Sequence, residues 1–364
     1  MCGLAGKVAI NGLTGLTNII KGFEEAYFFL RPRGPDEKGI WYDRNSYFLH
    51  TRLKILDLKK TASQPMQIGN HIICYNGEIY NFMDIKKKLE KKGYIFKSSG
   101  DTEIILFAWK EWEENMLEIF DGMFSLSIWD KKNKNLFLAR DRFGKKPLIY
   151  TINNNSISFS SYVSSLSKID KAGKVDDEAL SSLFRFRYIY EPLTIYENFK
   201  KLPPGSFMRF NKYGPKIKEW YNLRRKIKQA KNNKYEKNKL ISLVSDSVEK
   251  RLRSDAPIGL FLSGGVDSGI LLYSLSRIGK KIPCYTASFS ENRNYYNEGD
   301  RAELIAKHFG YDHYKIDLKP KIIINKINKI LNVCDEPFAD SSAIPTYIIS
   351  EFASKDVKVA LSGD

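Results

Sequence analysis

The sequence contains few cysteines and no long apolar run. Its 364 residues include four cysteines, and no two of them have CxxC spacing, so neither a zinc site nor a disulfide framework is indicated. No apolar stretch approaches the roughly 18 residues that a membrane-spanning helix needs. The N-terminus also lacks the basic start of a signal peptide. We therefore expect a cytoplasmic protein without a membrane partner.

Acidic residues are scarce relative to basic ones. Lysine and arginine total 59 against 42 aspartates and glutamates, which gives a formal net charge of +17. The excess is spread along the chain, and its densest block, residues 224–239, contains Asn and Gln and little apolar periodicity. This block is typical of a solvated linker, so we expect small-molecule substrates, with nucleic-acid binding as the alternative. Whether the protein forms a homodimer stays open.

The length predicts two domains, at roughly 150 residues per domain. In the first, residues 2–205, short alternating apolar segments predict antiparallel strands with a few packed helices. Residues 206–239 form the predicted basic linker. In the second domain, residues 240–364, buried strands alternate with amphipathic helices, which indicates a parallel sheet covered by helices.

Cys2 is a candidate nucleophile because of its position. Removal of Met1 would leave its thiol and a free α-amine on one residue, and an amine with a pKa near ~8 can act as the base for that thiol. A buried, inert cysteine at the start of a strand explains the residue equally well. Asn76 and Gly77 predict either a hairpin turn or an oxyanion hole.

Two further charged residues of the first domain, and one turn of the second, are candidates for ligand binding. Arg52 and Asp101 would suit a substrate's carboxylate and amine, and a structural ion pair is the alternative. The turn at residues 263–268, with sequence SGGVDS, follows a buried strand and precedes a helix. Its glycines and hydroxyls predict a phosphate-binding loop rather than a plain turn.

Many short motifs of the first domain occur in a characteristic order. They are residues 2–6, 33–36, 52–57, 64–66, 76–81, 99–103, 121–124 and 139–144. Together they resemble the glutaminase domain of the class II, N-terminal-nucleophile amidotransferases, most closely that of the glutamine-dependent asparagine synthetases. The SGGVDS turn resembles the pyrophosphate-binding loop of the synthetase domain of the same family, and segments 335–345 and 361–364 continue the resemblance.

The resemblance implies a fold and a set of roles. The fold is an αββα N-terminal-nucleophile glutaminase domain followed by an α/β parallel-sheet, PP-loop ATP pyrophosphatase domain. Cys2 would attack the side-chain amide of glutamine, while Asn76 and Gly77 hold the oxyanion. The residues implied to bind the rest of glutamine are Arg52 at the α-carboxylate, and Glu78 and Asp101 at the α-amine.

In the second domain the resemblance implies ATP as a substrate and Mg²⁺ as its counterion. The residues implied to contact ATP are Leu262, Ser263, Gly264, Gly265, Asp267, Ser268, Phe289, Ser362 and Gly363. Asp267 would also be a magnesium ligand, although helix capping is its structural alternative. The residues implied on the acceptor or adenylate side are Asp335, Glu336 and Asp364, and surface charge is the alternative for the first two.

The activity implied is that of a glutamine-hydrolysing asparagine synthetase, a carbon–nitrogen ligase that uses glutamine as amido donor. Alternatives are the same chemistry on another carboxylate such as a uronic acid sugar, a tRNA-modifying adenylating enzyme, and a non-catalytic or glutaminase-only form. In the family, the motif at 361–364 is followed by more glycines, an Asp-Glu pair and a long helical segment. The resemblance therefore predicts a C-terminally truncated chain that hydrolyses glutamine without completing amide synthesis.

Overall fold

The computed structural model describes residues 1–229, 237–289 and 298–363, and the chain separates into two compact units. The first unit comprises Met1–Lys231 together with Asp335–Ala339, and the second comprises the remainder. Within the described ranges, no helix is long and apolar enough to cross a membrane.

The first unit contains twelve strands and seven α-helices among its described residues. The strands are β1 (Gly3–Ala9), β2 (Glu37–Tyr42), β3 (Ser46–Arg52), β4 (Met66–Ile68), β5 (His71–Ile79), β6 (Gly122–Asp130), β7 (Asn135–Arg140), β8 (Ile149–Asn153), β9 (Ser156–Ser160), β10 (Lys200–Lys201), β11 (Ser206–Asn211) and β12 (Gly214–Glu219). The helices are α1 (Leu16–Leu30), α2 (Phe82–Glu90), α3 (Asp101–Trp112), α4 (Met116–Ile119), α5 (Val163–Ile169), α6 (Asp177–Phe186) and α7 (Leu223–Gln229).

Two six-stranded antiparallel sheets form the centre of this unit. Their strand orders are β10-β8-β9-β1-β3-β2 and β12-β11-β7-β6-β5-β4. Strand β5 shows how the layers form, because successive side chains of a strand point to opposite faces. Ile72 and Cys74 pack in the core between the sheets, whereas Ile73 and Tyr75 pack in the core that includes helices α2 and α3. The predicted αββα sandwich is confirmed.

The structure differs from the predicted boundary of the linker. Residues 206–219 form β11 and β12, and β11 pairs with β7 in the second sheet. Phe207, Met208 and Phe210 are buried in the cores on the two faces of that sheet. Lysines surround these apolar residues in the sequence, so the segment resembled a basic linker rather than a pair of strands. Residues 230–236 of the predicted linker lie outside the described residues.

The second unit is the predicted parallel sheet with helices, and this part of the fold prediction is also confirmed. Its described strands are β13 (Ile258–Phe261), β14 (Cys284–Ser288), β15 (His313–Asp317) and β16 (Val359–Leu361), in the order β15-β14-β13-β16. Its helices are α8 (Lys237–Arg251), α9 (Val266–Ile278), α10 (Gly299–Phe309), α11 (Pro320–Val333) and α12 (Ala343–Ala353). Every pairing in this sheet is parallel, so the strand ends that carry loops to the helices share one edge.

Candidate active sites

Cys2 stands directly before the first strand of the sandwich. Pairing of β1 with β3 sets Gly3 opposite Thr51 and brings the loop after β3 beside Cys2. The Leu53 N–H donates to the Cys2 Sγ at 3.4 Å, and the Arg33 side chain donates to the Cys2 carbonyl at 2.9 Å. Burial raises the pKa of the Cys2 thiol, and the Leu53 N–H opposes that effect. The thiol therefore needs a base to ionise at neutral pH.

The α-amine of the chain is a candidate for that base, because its charge and that of the Cys2 thiol act on each other. Burial lowers the pKa of the Met1 amine to about 6, and the positive charges of Arg33 and Lys146 act in the same direction. The charges of Cys2 and Glu78 oppose the shift. The Met1 amine is thus mainly neutral at pH 7, which is the form that accepts a proton.

Asn76 and Gly77 lie inside strand β5, so the hairpin-turn alternative for this pair is wrong. The Asn76 side chain is 1% exposed, and neither its Oδ1 nor its Nδ2 has a hydrogen-bond partner in the described part of the chain. A Cβ on residue 77 would lie 2.1 Å from the Met123 carbonyl oxygen, so only glycine fits there. Buried amides are normally hydrogen-bonded, whereas both polar atoms of the Asn76 amide lack a partner among the described residues.

Asp101 is the first residue of α3 and lies beside strand β5. Its carboxylate accepts hydrogen bonds from the Tyr75 hydroxyl at 2.7 Å and from the Ile79 N–H at 3.1 Å. Burial raises the pKa of Asp101, and the two hydrogen bonds oppose that change. The charges of Asp101 and Arg52 both act on the Cys2 thiol, so these three predicted residues come together.

Arg52 ends strand β3 and is 4% exposed. Its guanidinium donates to the Lys59 carbonyl at 3.0 Å and to the Leu56 carbonyl at 3.3 Å, and it also contacts the Asp57 carbonyl. An ion pair with Glu37 at 3.4 Å completes this set. The structural ion pair that the sequence offered as an alternative is therefore present, and Arg52 also orders the loop that begins at Leu53.

Three buried residues near this site received no role in the sequence analysis. His50 is fully buried and its Nε2 lies 3.0 Å from the Tyr75 carbonyl oxygen. Burial lowers the pKa of His50 to about 4, so its ring is neutral. Arg33 and Lys146 supply positive charge near the α-amine. Arg33 belongs to a motif that the sequence analysis noted, and Lys146 follows another, so their motifs were the available signal.

In the second unit, the SGGVDS loop leaves strand β13 and enters helix α9. The Ser263 N–H donates to the Ser268 Oγ at 3.2 Å, and the Gly265 N–H donates to the Ser263 Oγ at 3.2 Å. Gly264 has a φ of 79°, a conformation that favours glycine. The loop is therefore closed on itself by its own hydroxyls at the N-terminus of a thirteen-residue helix.

The other residues predicted to contact ATP are carried to the same edge of the sheet. Leu262 follows β13, Phe289 follows β14, and residues 362–363 follow β16. A Cβ on Gly363 would lie 2.8 Å from the backbone nitrogen of Ser268, so the strand ends approach closely only with glycine there. Asp364 lies outside the described residues.

Asp267 is the residue in this loop that suits Mg²⁺. It is exposed in the first turn of α9, and oxygen donors are the ligands that Mg²⁺ prefers. Among the described residues, no group of three or more His, Cys, Asp or Glu side chains forms a metal cluster. The site thus fits an ion that one protein carboxylate holds together with substrate phosphates.

Asp335 and Glu336 are engaged by side chains and backbone of the first unit, so simple surface charge does not describe them. The Asp335 carboxylate accepts from the Val163 N–H at 2.5 Å and from the Ser164 N–H at 2.9 Å. Glu336 pairs with Lys201 at 2.7 Å. Burial raises the pKa of both carboxyl groups. Both line a cavity of about 210 Å³.

Two protein families match the chain, one to each predicted domain. The glutamine amidotransferase domain matches residues 1–221, and the asparagine synthase domain matches residues 239–364. The second match implies the use of ATP.

Curated relatives are similar over the whole chain. Glutamine-hydrolyzing asparagine synthetases 1 and 3 of Bacillus subtilis (strain 168) are 32% and 30% identical over all of this chain. The chain spans 57% and 62% of their respective lengths. Amidase chry2 of Gibberella zeae is 24% identical over all of the chain, which spans 58% of that protein. The chain therefore belongs to the asparagine synthase family of ATP-using ligases, with a glutamine amidotransferase domain followed by an asparagine synthase domain.

Proposed function

We propose that this chain carries the glutaminase and nucleotide-binding parts of a glutamine-hydrolysing asparagine synthetase. The observation that carries the proposal is the buried Asn76 amide, which lacks a hydrogen-bond partner among the described residues. It lies on the strand next to Gly77, where a side chain has no room. Burying an amide without a hydrogen-bond partner costs free energy, unless a substrate or transition state supplies the missing hydrogen bond.

In the proposed first half-reaction, the thiol of Cys2 attacks the side-chain carbonyl carbon of glutamine. The α-amine that removal of Met1 would leave on Cys2 accepts the thiol proton, since it belongs to the same residue as the thiol. Asn76 Nδ2 and the Gly77 N–H donate to the oxygen that becomes negative. The amine then delivers the proton to the leaving nitrogen, and ammonia departs. Water hydrolyses the resulting thioester to glutamate.

In this proposal, the α-ammonium and α-carboxylate groups of glutamine are each held by residues of the opposite charge. Asp101 and Glu78 bind the α-ammonium group, and Asp101 is positioned for this by Tyr75. Arg52 binds the α-carboxylate. Because its guanidinium already contacts several carbonyl groups, substrate would add to an ordered loop rather than create one.

In the proposed second half-reaction, the carboxylate of an acceptor attacks the α-phosphorus of ATP and pyrophosphate leaves. Ammonia attacks the carbonyl carbon of the acyl adenylate, and AMP leaves. Residues 263–268 bind the pyrophosphate moiety through N–H and hydroxyl groups, while Leu262, Phe289, Ser362 and Gly363 border the nucleotide. Bound Mg²⁺ would neutralise phosphate charge, with Asp267 as its protein ligand.

For the acceptor we propose aspartate, with its β-carboxylate as the group activated. Asp335, Glu336 and Asp364 are the residues proposed on the acceptor or adenylate side. The 24% identical amidase favours a second candidate, the same chemistry on another carboxylate. A glutaminase-only form is the third candidate.

The test separates the half-reactions. The full chain is incubated with glutamine alone, and the glutamate formed is measured. Cys2→Ala should abolish glutamate formation. Cys334→Ala, which changes a free cysteine of the second unit, should not. ATP and a panel of carboxylates are then added, and pyrophosphate and the amidated product are identified. Glutamate release without any amidated product supports the glutaminase-only form. Unchanged glutamate release by Cys2→Ala contradicts the proposal.

A further inference from the structure

Asp57 is a buried aspartate in the loop that follows strand β3. It is 3% exposed, and its φ of 49° lies in the left-handed region, which aspartate adopts more readily than most side chains. Backbone conformations of this kind persist where the surrounding contacts hold them, and they are common at functional sites. The proposed function uses Arg52 of the same motif and gives Asp57 no role.

The backbone of Asp57 contacts Arg52. The Asp57 carbonyl accepts a hydrogen bond from the Arg52 guanidinium. The same guanidinium donates to the carbonyls of Leu56 at 3.3 Å and Lys59 at 3.0 Å. The main chain of this loop therefore orients Arg52, and a substitution that keeps the conformation of residue 57 should keep these contacts.

The side chain of Asp57 contacts the segment that leads into helix α3. Its carboxylate accepts from the Ser99 N–H at 2.8 Å, across 42 positions of the sequence. A Cβ on Gly100 would lie 3.4 Å from the Asp57 Cβ, so the Asp57 side chain also packs against the backbone there. Asp101 is the next residue and begins the helix. The position of Asp101 therefore depends on the contact between Asp57 and Ser99.

The Asp57 carboxylate is also bound to its own loop. It accepts from the Lys59 N–H at 3.1 Å and from the Thr61 hydroxyl at 3.3 Å. Burial acts to raise the pKa of Asp57, but the hydrogen bonds from Ser99, Lys59 and Thr61 hold it below its usual value. The group is thus ionised at neutral pH, and hydrogen bonds to a charged acceptor are stronger than those to a neutral one.

The carbonyl of Asp57 thus holds Arg52, and its carboxylate holds the segment before Asp101. We propose that Asp57 is a positioning residue that fixes the separation between the Arg52 guanidinium and the Asp101 carboxylate, and so fits the site to the amino-acid end of glutamine. This inference rests on the proposed function of Arg52 and Asp101. The physical reason is that a ligand held by two groups at once loses one contact when the spacing of those groups changes.

The experiment compares two substrates of the full chain. L-Glutamine carries the α-ammonium group that Asp101 is proposed to bind, whereas glutaric acid monoamide is the same molecule without that group. Asp57→Gly removes the carboxylate, and glycine suits the left-handed conformation, so the backbone contact with Arg52 should remain. We expect kcat/KM for glutamine to fall at least about tenfold, through a rise in KM. For the monoamide it should change by no more than about twofold, because the monoamide does not reach Asp101.

Two further variants test the assignment. Asp57→Asn keeps one acceptor oxygen and a residue type that tolerates the left-handed conformation, so it should show a smaller selective loss for glutamine. If Asp57→Gly does not fold, Asp57→Asn decides the question by the same comparison. Thr61→Val removes another hydrogen bond to the same carboxylate but leaves the contact with Ser99, and both substrates should keep their parent kcat/KM.

The outcomes separate this inference from the proposed function. An equal fall for both substrates would show a general structural defect and overturn the inference, and so would an unchanged kcat/KM for glutamine in a folded variant. Both results require a parent chain that hydrolyses glutamine. A parent chain that hydrolyses neither substrate would contradict the proposed function, and the role of Asp57 would fall with it.

Discussion

The hydroxyl of Tyr75 donates to the carboxylate of Asp101 at 2.7 Å, and both side chains are buried. Tyr75 is on strand β5, one residue before Asn76, and Asp101 begins helix α3. Burial and the Asp101 charge raise the pKa of Tyr75 well above its usual range, so the hydroxyl keeps its proton. The bond therefore links the strand that carries the proposed oxyanion hole to the carboxylate proposed to bind the glutamine amine.

Tyr75→Phe should weaken the binding of glutamine. The hydrogen bond lowers the pKa of Asp101 against the effect of burial, so its loss leaves a larger protonated fraction. We expect KM for glutamine to rise about tenfold and the acid limb of kcat/KM to move to higher pH. Tyr94→Phe is the control, because Tyr94 donates to Glu111 at 3.0 Å away from the site. Equal KM values for parent and Tyr75→Phe would contradict this role of Asp101.

Asn76→Ala should reduce glutamine hydrolysis without destabilising the first unit. One oxyanion donor is worth about 10²–10³ in kcat, and the Asn76 amide has no partner among the described residues to lose.

Asn45→Ala is the matched control for that experiment. The Asn45 amide is buried and donates to the carbonyls of Ala9 and Ile10 at 2.8 and 2.9 Å. Its loss should cost about 1–3 kcal/mol of unfolding free energy while kcat stays within about twofold. Denaturant titration followed by tryptophan fluorescence reports this unit, since all five tryptophans lie in it. A large stability loss in Asn76→Ala would show that the amide has a structural role.

His50 should make the first unit less stable in acid. Its folded-state pKa of about 4 lies below the unfolded value of about 6.5, so between these two pH values the unfolded chain binds more protons. The His50 contribution is complete above about pH 6.5 and is lost as the pH falls. It should lower the unfolding free energy by about 2 kcal/mol between pH 7 and pH 5.

The measurement is the same fluorescence titration at several pH values. His50→Gln should remove this part of the pH dependence, whatever it does to stability at pH 7. His71→Gln, at a half-buried histidine 3.6 Å from Asp130, serves as the comparison. An unaltered slope in His50→Gln would mean that other groups cause the acid sensitivity.

Asp267→Ala should weaken ATP binding in the presence of Mg²⁺ by about tenfold, because it removes the one carboxylate proposed to hold the ion. Binding in the presence of EDTA should change little. Asp300→Ala removes an exposed acidic residue from the first turn of α10 in the same unit and should leave both affinities unchanged. Calorimetric titration with a non-hydrolysable ATP analogue makes the comparison. If the ATP affinity of the parent and of Asp267→Ala depends equally on Mg²⁺, Asp267 does not bind the ion and its role is confined to the start of the helix.

Pattern alone predicted the larger features of the molecule. Alternating apolar residues in the first half predicted antiparallel strands with packed helices, and the resemblance implied their arrangement in a sandwich. In the second half, alternating strands and helices predicted the parallel sheet, and residues 263–268 lie at its edge. The prediction of a linker was wrong at 206–219. The lysines of β12 made the segment appear to be solvated, whereas apolar side chains of its partner strand β11 enter both cores. Net charge is a property of composition, whereas burial depends on which face each side chain occupies.

The sequence by itself determined the residue types that the chemistry needs and their order: a cysteine at position 2, an Asn-Gly pair, Asp101 and the SGGVDS loop. Only the tertiary structure decided their surroundings. It buried the Asn76 amide without a hydrogen-bond partner in the described residues. It also directed the Arg52 guanidinium to a carbonyl of the loop after β3 and brought the Lys146 side chain into contact with Met1. The reason is that desolvation, charge proximity and hydrogen-bond satisfaction are set by residues distant in sequence, which meet only when the strands and helices pack.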